Sequence, residues 1–250
     1  MLKTLKNRFE QGYRTSAYPK VSIELPGRYR GRPVINPDAP AELAARCAAA
    51  CPQQAIDAQA KRIDIGRCVF CGDCERLSGG EFVTFSRDFE ISVAQKEHLV
   101  TDGTLPELAD HAQKHFKKLF GRSLQLRQVS AAGCNACEAD LNVLATPFFD
   151  LARFGINFVA SPRHADGIVV TGPISRNMKT ALLQTYEAVP APKVVIAVGS
   201  CALSGGPFIG SPEITEGLDR LLPVDLFIPG CPPHPLTNLH ALLDYFKVGS

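Results

Sequence analysis

The second half of the chain, from Leu124 onward, alternates short apolar runs with segments of helical periodicity. Five runs rich in β-branched residues predict strands at residues 124–129, 156–160, 167–171, 193–198 and 224–228. Helical spacing predicts helices around residues 138–154, 175–189, 212–222 and 235–246. Strands that alternate with helices are typical of a parallel sheet covered on both faces. We therefore predict an α/β, flavodoxin-like, doubly wound domain over residues 124–250.

The first half carries less apolar material, in shorter runs. Residues 33–100 hold five cysteines, and residues 62–65 and 81–85 alternate in a way that is typical of small strands. Because this material cannot build a large core, we expect a small α+β domain that is held together by a metal group. Apolar positions at helical spacing over residues 105–120 predict a helical connector, residues 101–123. Residues 1–32 precede the small domain as an arm.

This arm is basic, although the whole chain is nearly neutral. With 27 Lys and Arg against 25 Asp and Glu, the net charge is only +2, which lacks the global positive field of a nucleic-acid binder. Such an arm can dock on an acidic partner or an anionic membrane face, or it can be a solvated terminus. Its charged residues are Lys3, Lys6, Arg8, Arg14, Lys20, Arg28, Arg30 and Arg32 against Glu10 and Glu24.

Hydropathy argues against a membrane-spanning segment. No apolar run approaches the roughly 18 residues that cross a bilayer, and the charged start is not followed by the apolar core of a signal peptide. We therefore expect the chain to be cytoplasmic. Nine cysteines in that compartment do not form a disulfide framework, which leaves metal ligation or redox chemistry.

Four of the nine cysteines follow predicted strands of the second half. Cys134 and Cys137 lie in GCNAC after the first strand, Cys201 in GSCALSGG after the fourth, and Cys231 in PGCPPHP after the fifth. Loops at the carboxyl ends of parallel strands meet at one edge of the sheet, where doubly wound folds bind ligands. Four thiolates suit a structural zinc or an iron–sulfur cluster. One close pair with two distant single cysteines favours the cluster, because structural zinc usually takes two close pairs.

Five stretches of the second half carry a family resemblance: GCNACEADL, RFGINFVASPRHAD, GIVVTGPISRNM, AVGSCALSGGPF and FIPGCPPHPLTNL. Together they resemble the small subunit of nickel–iron hydrogenases and the homologous cluster-bearing subunit of respiratory complex I, over about half the chain. The resemblance implies that Cys134, Cys137, Cys201 and Cys231 hold a proximal 4Fe-4S cluster. In that family the cluster exchanges electrons with the active site or quinone site of a large partner subunit.

The spacing of the first cysteine pair separates two branches of this family. Complex I subunits have two adjacent cysteines there, whereas two residues separate Cys134 from Cys137, as in hydrogenases. The stretches SPRHAD and TGPISRNM resemble the membrane-bound energy-converting hydrogenases and formate hydrogenlyase. The resemblance implies three kinds of partner: a large subunit that is nickel–iron or a nickel-free homologue, membrane subunits, and a ferredoxin or formate-oxidising subunit.

The other five cysteines lie in RCAAACPQQAIDAQAKRIDIGRCVFCGDCERLSGG, residues 46–80. This stretch resembles bacterial two-cluster ferredoxins, in which C-x2-C-x2-C-x3-C-P occurs twice and the fourth cysteine of each run ligates the other run's cluster. On that pattern one crossed set is complete: Cys51, Cys68, Cys71 and Cys74. The other set reads Ala41, Ala44, Cys47 and Ser78, so only one cysteine remains. The resemblance implies one 4Fe-4S cluster on the complete set, with Cys47 as a buried thiol without iron.

These features predict an electron-transfer subunit with two 4Fe-4S clusters. We expect it in a membrane-associated, energy-converting hydrogenase or formate hydrogenlyase complex, peripheral on the inner face of the cell membrane. No catalytic residue is expected on this chain, because the nickel–iron site would lie on the large subunit. Two alternatives stay open. One is the equivalent subunit of a nickel-free, complex I-like oxidoreductase, and the other is a zinc-stabilised scaffold or nucleic-acid-binding protein.

Overall fold

The computed structural model describes residues 2–106 and 123–247. The helix predicted over residues 105–120 lies, from residue 107 onward, outside the described residues. The α-helices are Leu2–Gln11, Ala41–Ala50, Asp73–Ser78, Ala136–Val143, Arg176–Ala188, Ser200–Ser204 and Pro235–Phe246. Short 3-10 helices occur at Lys96–Leu99, Leu151–Phe154, Pro162–His164, Gly206–Phe208 and Leu218–Arg220. The strands are β1 (Pro33–Ile35), β2 (Ile56–Asp57), β3 (Arg62–Asp64), β4 (Val83–Phe85), β5 (Val100–Thr101), β6 (Leu124–Ser130), β7 (Ile156–Phe158), β8 (Gly167–Thr171), β9 (Ile174–Ser175), β10 (Val194–Val198), β11 (Ile214–Thr215) and β12 (Leu226–Ile228).

Five parallel strands form the main sheet of the second half, in the order β12-β10-β8-β6-β7. Numbered along the chain and read from the β7 edge, this is the 2-1-3-4-5 order of flavodoxin-like folds. The predicted fold class is therefore confirmed, and each of the five predicted strands is present. The strand order reverses between β6 and β8, and sheets of this kind bind ligands at the carboxyl ends of the strands beside that point.

Both faces of this sheet are buried. Every residue of β8 and β10 is buried, and successive residues point into two different apolar clusters, because side chains alternate along a strand. Val169 and Ile196 pack in one cluster with helix Pro235–Phe246. Val170 and Ala197 pack in the other, together with Leu182 of helix Arg176–Ala188.

The small strands β1 to β5, with the helices between them, form an N-terminal module. Strand β1 pairs antiparallel with β4, and β3 lies between β2 and β5. Ile63, Ile65 and Phe82 are almost completely buried, and they belong to the same apolar cluster as Val170 of the sheet. Val93 forms an antiparallel bridge to Phe227, with N···O distances of 3.0 and 2.8 Å. The module and the sheet therefore share one continuous core.

The basic arm divides into two parts. Helix Leu2–Gln11 has no buried residue, whereas the segment from Ser16 to Arg32 lies against the rest of the chain. Arg153 donates hydrogen bonds to the main-chain oxygens of Ser16 and Tyr18, and the Tyr18 hydroxyl lies 2.8 Å from His240 Nδ1. Of the helices in the described residues, each is too short or too polar to span a bilayer.

Two of the predicted helices differ from the structure. The helix expected over residues 138–154 ends at Val143, because Pro147 has no N–H to donate to Val143 O and its ring would clash with that carbonyl in a continuing helix. The helix expected over residues 212–222 is wrong. That segment instead forms β11, which pairs with β9, and then a 3-10 turn after Gly217. Gly217 has φ +94°, which a helix interior does not contain.

Candidate iron–sulfur sites

The carboxyl ends of β6, β10 and β12 bring four predicted ligands to one edge of the sheet. The thiols of Cys134, Cys137, Cys201 and Cys231 line a single cavity of about 80 Å³. Sites for organic ligands and cofactors have roughly 300–1,000 Å³, so this cavity suits a compact inorganic group better than a flavin. Cys134 and Cys231 are exposed, while Cys137 and Cys201 are half-buried, so the cavity is open on one side.

Two glycines bring main chain close to the sulfurs of this cavity. A Cβ on Gly199 would lie 2.6 Å from Cys137 Sγ, and one on Gly206 would lie 2.9 Å from Cys201 Sγ. Real Cβ atoms essentially never approach so closely, so only glycine leaves room for the thiols as they stand. Gly199 also has φ +86°, a conformation that favours glycine. The loops therefore form a cradle that fits sulfur and not a larger side chain.

Burial disfavours the ionised form of three thiols of this set. The pKa of Cys201 is raised to about 12, chiefly by burial, with smaller contributions from Cys231 and Cys134. Burial and then Cys201 raise the pKa of Cys137 well above its usual range. Burial and Cys134 also raise the pKa of Cys231. Ionising these thiols together needs positive charge in the cavity, which iron ions would supply.

Glu138 is a buried carboxyl in the wall of the same cavity. It is only 6% exposed and accepts a hydrogen bond from Thr171 Oγ1 over 2.6 Å. Thr171 ends β8 and is completely buried. The pair fixes the first turn of helix Ala136–Val143, which carries Cys137, against the neighbouring strand. Glu138 thus has a clear structural role in orienting the cysteine loop.

The N-terminal module gathers the second set. Cys51 follows helix Ala41–Ala50, while Cys68, Cys71 and Cys74 lie on the loop and first turn that lead into helix Asp73–Ser78. The pKa of Cys68 is raised to about 12, chiefly by burial, with smaller contributions from Cys74, Cys51 and Cys71. The pKa of Cys74 is also raised to about 12, chiefly by burial, with smaller contributions from Cys71, Cys47 and Cys51. The four sulfurs therefore lie within electrostatic range of one another.

Main-chain N–H groups point at sulfurs of this second set. Phe70 N–H donates to Cys68 Sγ over 3.3 Å, and Ala55 N–H donates to Cys51 Sγ over 3.4 Å. Hydrogen bonds to thiolate sulfur stabilise negative charge and tune the potential of iron–sulfur clusters. This donor pattern fits a thiolate-ligated cluster.

Cys47 lies in the core, next to Cys74. It is completely buried in the apolar cluster, and its Sγ donates to the main-chain oxygen of Cys74 over 3.6 Å. Ala44 and Ser78 of the incomplete crossed set are buried as well, whereas Ala41 is exposed. Small side chains, three of them buried, therefore occupy the four positions where the second ferredoxin cluster would take its ligands.

The described residues contain no site for a single metal ion. Among them, no three His, Cys, Asp or Glu side chains are close enough together to hold one metal ion.

Comparison with known proteins decides the family. The family model described as "NADH ubiquinone oxidoreductase, 20 Kd subunit" matches residues 134–245. The chain is 43% identical over 126 residues to the probable membrane-bound hydrogenase subunit mbhJ of Pyrococcus furiosus, covering 50% of this chain and 75% of that protein. The chain belongs to this family. The predicted membership is thereby confirmed.

Other members of the family are similar to a comparable degree. Formate hydrogenlyase subunit 7 of Escherichia coli is 42% identical over 49% of this chain, which spans 48% of that protein. An NADH-quinone oxidoreductase subunit of Clostridium beijerinckii is 46% identical over 44% of this chain and 66% of that protein. Among solved structures, a chain of the membrane-bound sulfane sulfur reductase aligns with a TM-score of 0.45 and 34% identity, over 54% of this chain and 72% of that chain.

In this member of the 20 Kd subunit family, the structure brings each predicted cysteine set together as expected from the sequence. Their role as iron ligands remains a prediction. Sequence reasoning missed Ser200, which precedes Cys201 in GSCALSGG and is 1% exposed. The glycines that flank these cysteines in the sequence, Gly199 among them, indicate a close approach of the main chain to the site, and the structure places Gly199 against Cys137 Sγ.

Proposed function

We propose that this chain is the iron–sulfur electron-transfer subunit of a membrane-associated, energy-converting nickel–iron hydrogenase or formate hydrogenlyase complex. The observation that carries the proposal is the presence of two complete four-cysteine sets in adjoining loops of one folded unit. Cys51, Cys68, Cys71 and Cys74 would hold one 4Fe-4S cluster, and Cys134, Cys137, Cys201 and Cys231 would hold the other. Such clusters, when bound, accept and release single electrons.

The chain's own residues provide ligands and surroundings, and we assign no catalytic residue to it. The glycine cradle admits the sulfurs, the main-chain N–H groups stabilise thiolate charge, and the apolar core keeps water from the inner side of each set. Bond-making chemistry would belong to a large partner subunit. The exposed thiols Cys134 and Cys231 mark the edge where we propose that this subunit docks.

We further propose that the domain plan follows the two cysteine sets. Residues 1–32 would act as an arm, residues 33–100 as a ferredoxin-like domain, and residues 124–250 as a hydrogenase-small-subunit-like domain, with residues 101–123 as a connector. The shared core between the module and the sheet supports their acting as one relay.

The exposed helix at the N-terminus supports peripheral association with a membrane. Its large apolar side chains lie at helical spacing on one side and are strongly exposed: Leu2 at 85%, Leu5 at 61% and Phe9 at 95%. Three basic residues, Lys3, Lys6 and Arg8, accompany them. A basic amphipathic helix is suited to lie in the headgroup region of an anionic membrane.

A nickel-free, complex I-like oxidoreductase is the second candidate. The similarity to the NADH-quinone oxidoreductase subunit of Clostridium beijerinckii favours it. The two residues between Cys134 and Cys137 favour the hydrogenase. One experiment decides between them. The complex is purified anaerobically by a tag on this chain, and nickel is measured in the copurified large subunit. Nickel with hydrogen-dependent dye reduction supports the hydrogenase, and a large subunit without nickel supports the alternative.

The same preparation tests the relay itself. A Cys134→Ser variant is expected to copurify with the large subunit but to lose electron transfer between that subunit and an acceptor at the N-terminal module. The proposal is contradicted if no large subunit copurifies with the wild-type chain.

A further inference from the structure

Ser200 joins the loops of both cysteine sets. Its side chain is 1% exposed and follows β10 at the start of helix Ser200–Ser204. The hydroxyl donates to the main-chain oxygen of Cys68 over 2.6 Å, and it also lies 3.1 Å from the main-chain oxygen of Gly230. Its own N–H donates to Gly230 O over 2.9 Å. One residue therefore contacts the main chain of a distant cysteine loop and that of a neighbouring one.

These contacts tie three predicted ligands together. Ser200 is covalently bonded to Cys201, Gly230 is bonded to Cys231, and Cys68 is itself the acceptor. From the thiol of Cys68 to the thiol of Cys201 the connection consists of main-chain and Cβ bonds with a single short hydrogen bond between them. The main-chain bridge between Val93 and Phe227, another contact between the N-terminal module and the sheet, does not involve a cysteine.

A second serine offers a natural comparison. Ser204, one helical turn later, donates to the main-chain oxygen of Gly66 over 3.0 Å. Gly66 precedes Cys68 on the same loop, so both serines anchor this loop to the same helix. Ser204 differs because neither it nor its acceptor is bonded directly to a predicted ligand.

We propose that Ser200 is a positioning residue that fixes the N-terminal cysteine set against the C-terminal set and provides the bonded connection for electron exchange between them. This rests on the proposed relay function. The exchange moves one electron, so one site is oxidised and the other is reduced by one electron, and no proton or covalent bond is transferred. Without the hydroxyl, the Cys68 carbonyl loses its buried partner, and a through-space gap replaces the hydrogen bond.

The test uses the full chain with iron reconstituted anaerobically, in wild-type, Ser200→Ala and Ser204→Ala forms. Each is mixed with substoichiometric dithionite as the electron donor and frozen at increasing times. Electron paramagnetic resonance then follows the signal of the C-terminal site, which is assigned by its absence from a Cys201→Ser variant. Iron content and the final distribution of electrons are measured alongside.

We expect Ser200→Ala to keep the full iron content and the wild-type final distribution, while the rate at which that distribution is reached falls severalfold. Ser204→Ala should retain the wild-type rate, although it removes a part-buried hydrogen bond to the same loop and the contact of its hydroxyl with Ser200 O. A wild-type rate in Ser200→Ala, or an equal slowing in both variants, would overturn the proposal.

A Ser200→Thr variant keeps the test decisive if Ser200→Ala fails to fold or loses iron. Because threonine retains the hydroxyl, we expect it to exchange electrons at the wild-type rate, and a loaded threonine variant with slow exchange would overturn the proposal. Failure of the relay function itself has a different signature, because the wild-type chain would then show no second reducible site at all.

Discussion

Replacement of Gly199 by alanine tests the cradle around the C-terminal cysteine set. The added Cβ would lie 2.6 Å from Cys137 Sγ, whereas ordinary contact begins at 3.4 Å. The sulfur or the glycine backbone must therefore move by about 0.8 Å. Metal–ligand distances tolerate deviations of about 0.2 Å, so a displaced Cys137 no longer completes the site.

Alanine also meets backbone strain at this position. Gly199 has φ +86° and ψ 152°, a region occupied almost only by glycine, where strain costs roughly 1–3 kcal/mol. Gly210 provides the matched control, because it has φ +85° and no atom would lie within 4 Å of a Cβ added there. A Gly210→Ala variant thus carries positive-φ strain without a clash against sulfur.

Two measurements distinguish the clash with sulfur from the backbone strain. The content of iron and acid-labile sulfide per chain reports the clash, and the midpoint of thermal unfolding reports the strain. We expect Gly199→Ala to fall from about eight irons to about four, because only the N-terminal set stays loaded. Gly210→Ala should keep about eight irons with a lower unfolding midpoint. A fully loaded Gly199→Ala protein, or equal iron loss in the two variants, would refute this reasoning.

Three further predictions concern other parts of the chain. Cys51→Ala should contain about four irons and Cys47→Ala about eight, so iron loss in the Cys47 variant would contradict the crossed assignment. Burial lowers the pKa of His234, whose Nδ1 accepts a hydrogen bond from Leu236 N–H. The contribution of His234 to the free energy of unfolding should therefore be fully present above about pH 6.5 and decrease below it, because the unfolded chain binds the proton at a higher pH than the folded chain. Thermal unfolding at pH 7 and pH 5 measures this decrease. A His234→Asn protein keeps a side chain that can accept the N-cap hydrogen bond, so it should lose less stability between the two pH values than the wild-type protein. Equal losses in the two proteins would contradict the prediction. Replacing Lys3, Lys6 and Arg8 by glutamine should weaken binding to vesicles with anionic lipid by about two orders of magnitude in a flotation assay, and unchanged binding would refute a membrane role for the helix.

The sheet could be predicted from the sequence because its strands are buried on both faces. Runs such as GIVVT and VVIAV are almost entirely apolar, and the structure buries every residue of β8 and β10. The same topology places loops after three strands at one edge, which is why the convergence of Cys134 and Cys201 could be anticipated from their positions alone.

The missed elements depend on contacts that periodicity does not report. Residues 212–222 have helical spacing, but β9 offers hydrogen bonds to Ile214 and Thr215, and Gly217 turns the chain away from a helix. The contact of Ser200 could not be predicted either, because its acceptor Cys68 is 132 positions away in the sequence. Short-range patterns cannot show which distant loop a buried hydroxyl meets.

In the ferredoxin-like stretch, the sequence motif and the packing give different information about the cysteines. The crossed ligand rule separates Cys51 from Cys47, although the two are only one helical turn apart. The structure buries Cys47 completely in the core, next to Cys74, and leaves Cys51 half-buried near Cys68, Cys71 and Cys74. The assignment of Cys51, and not Cys47, as an iron ligand therefore stays a prediction of the motif, and the iron content of the two variants tests it.

The central claim is that this chain holds two 4Fe-4S clusters. Its most direct test is quantitative iron, acid-labile sulfide and zinc analysis of the anaerobically purified wild-type chain. We predict about eight irons and eight sulfides per chain with no stoichiometric zinc. About four irons per chain, or zinc in place of iron, would contradict it.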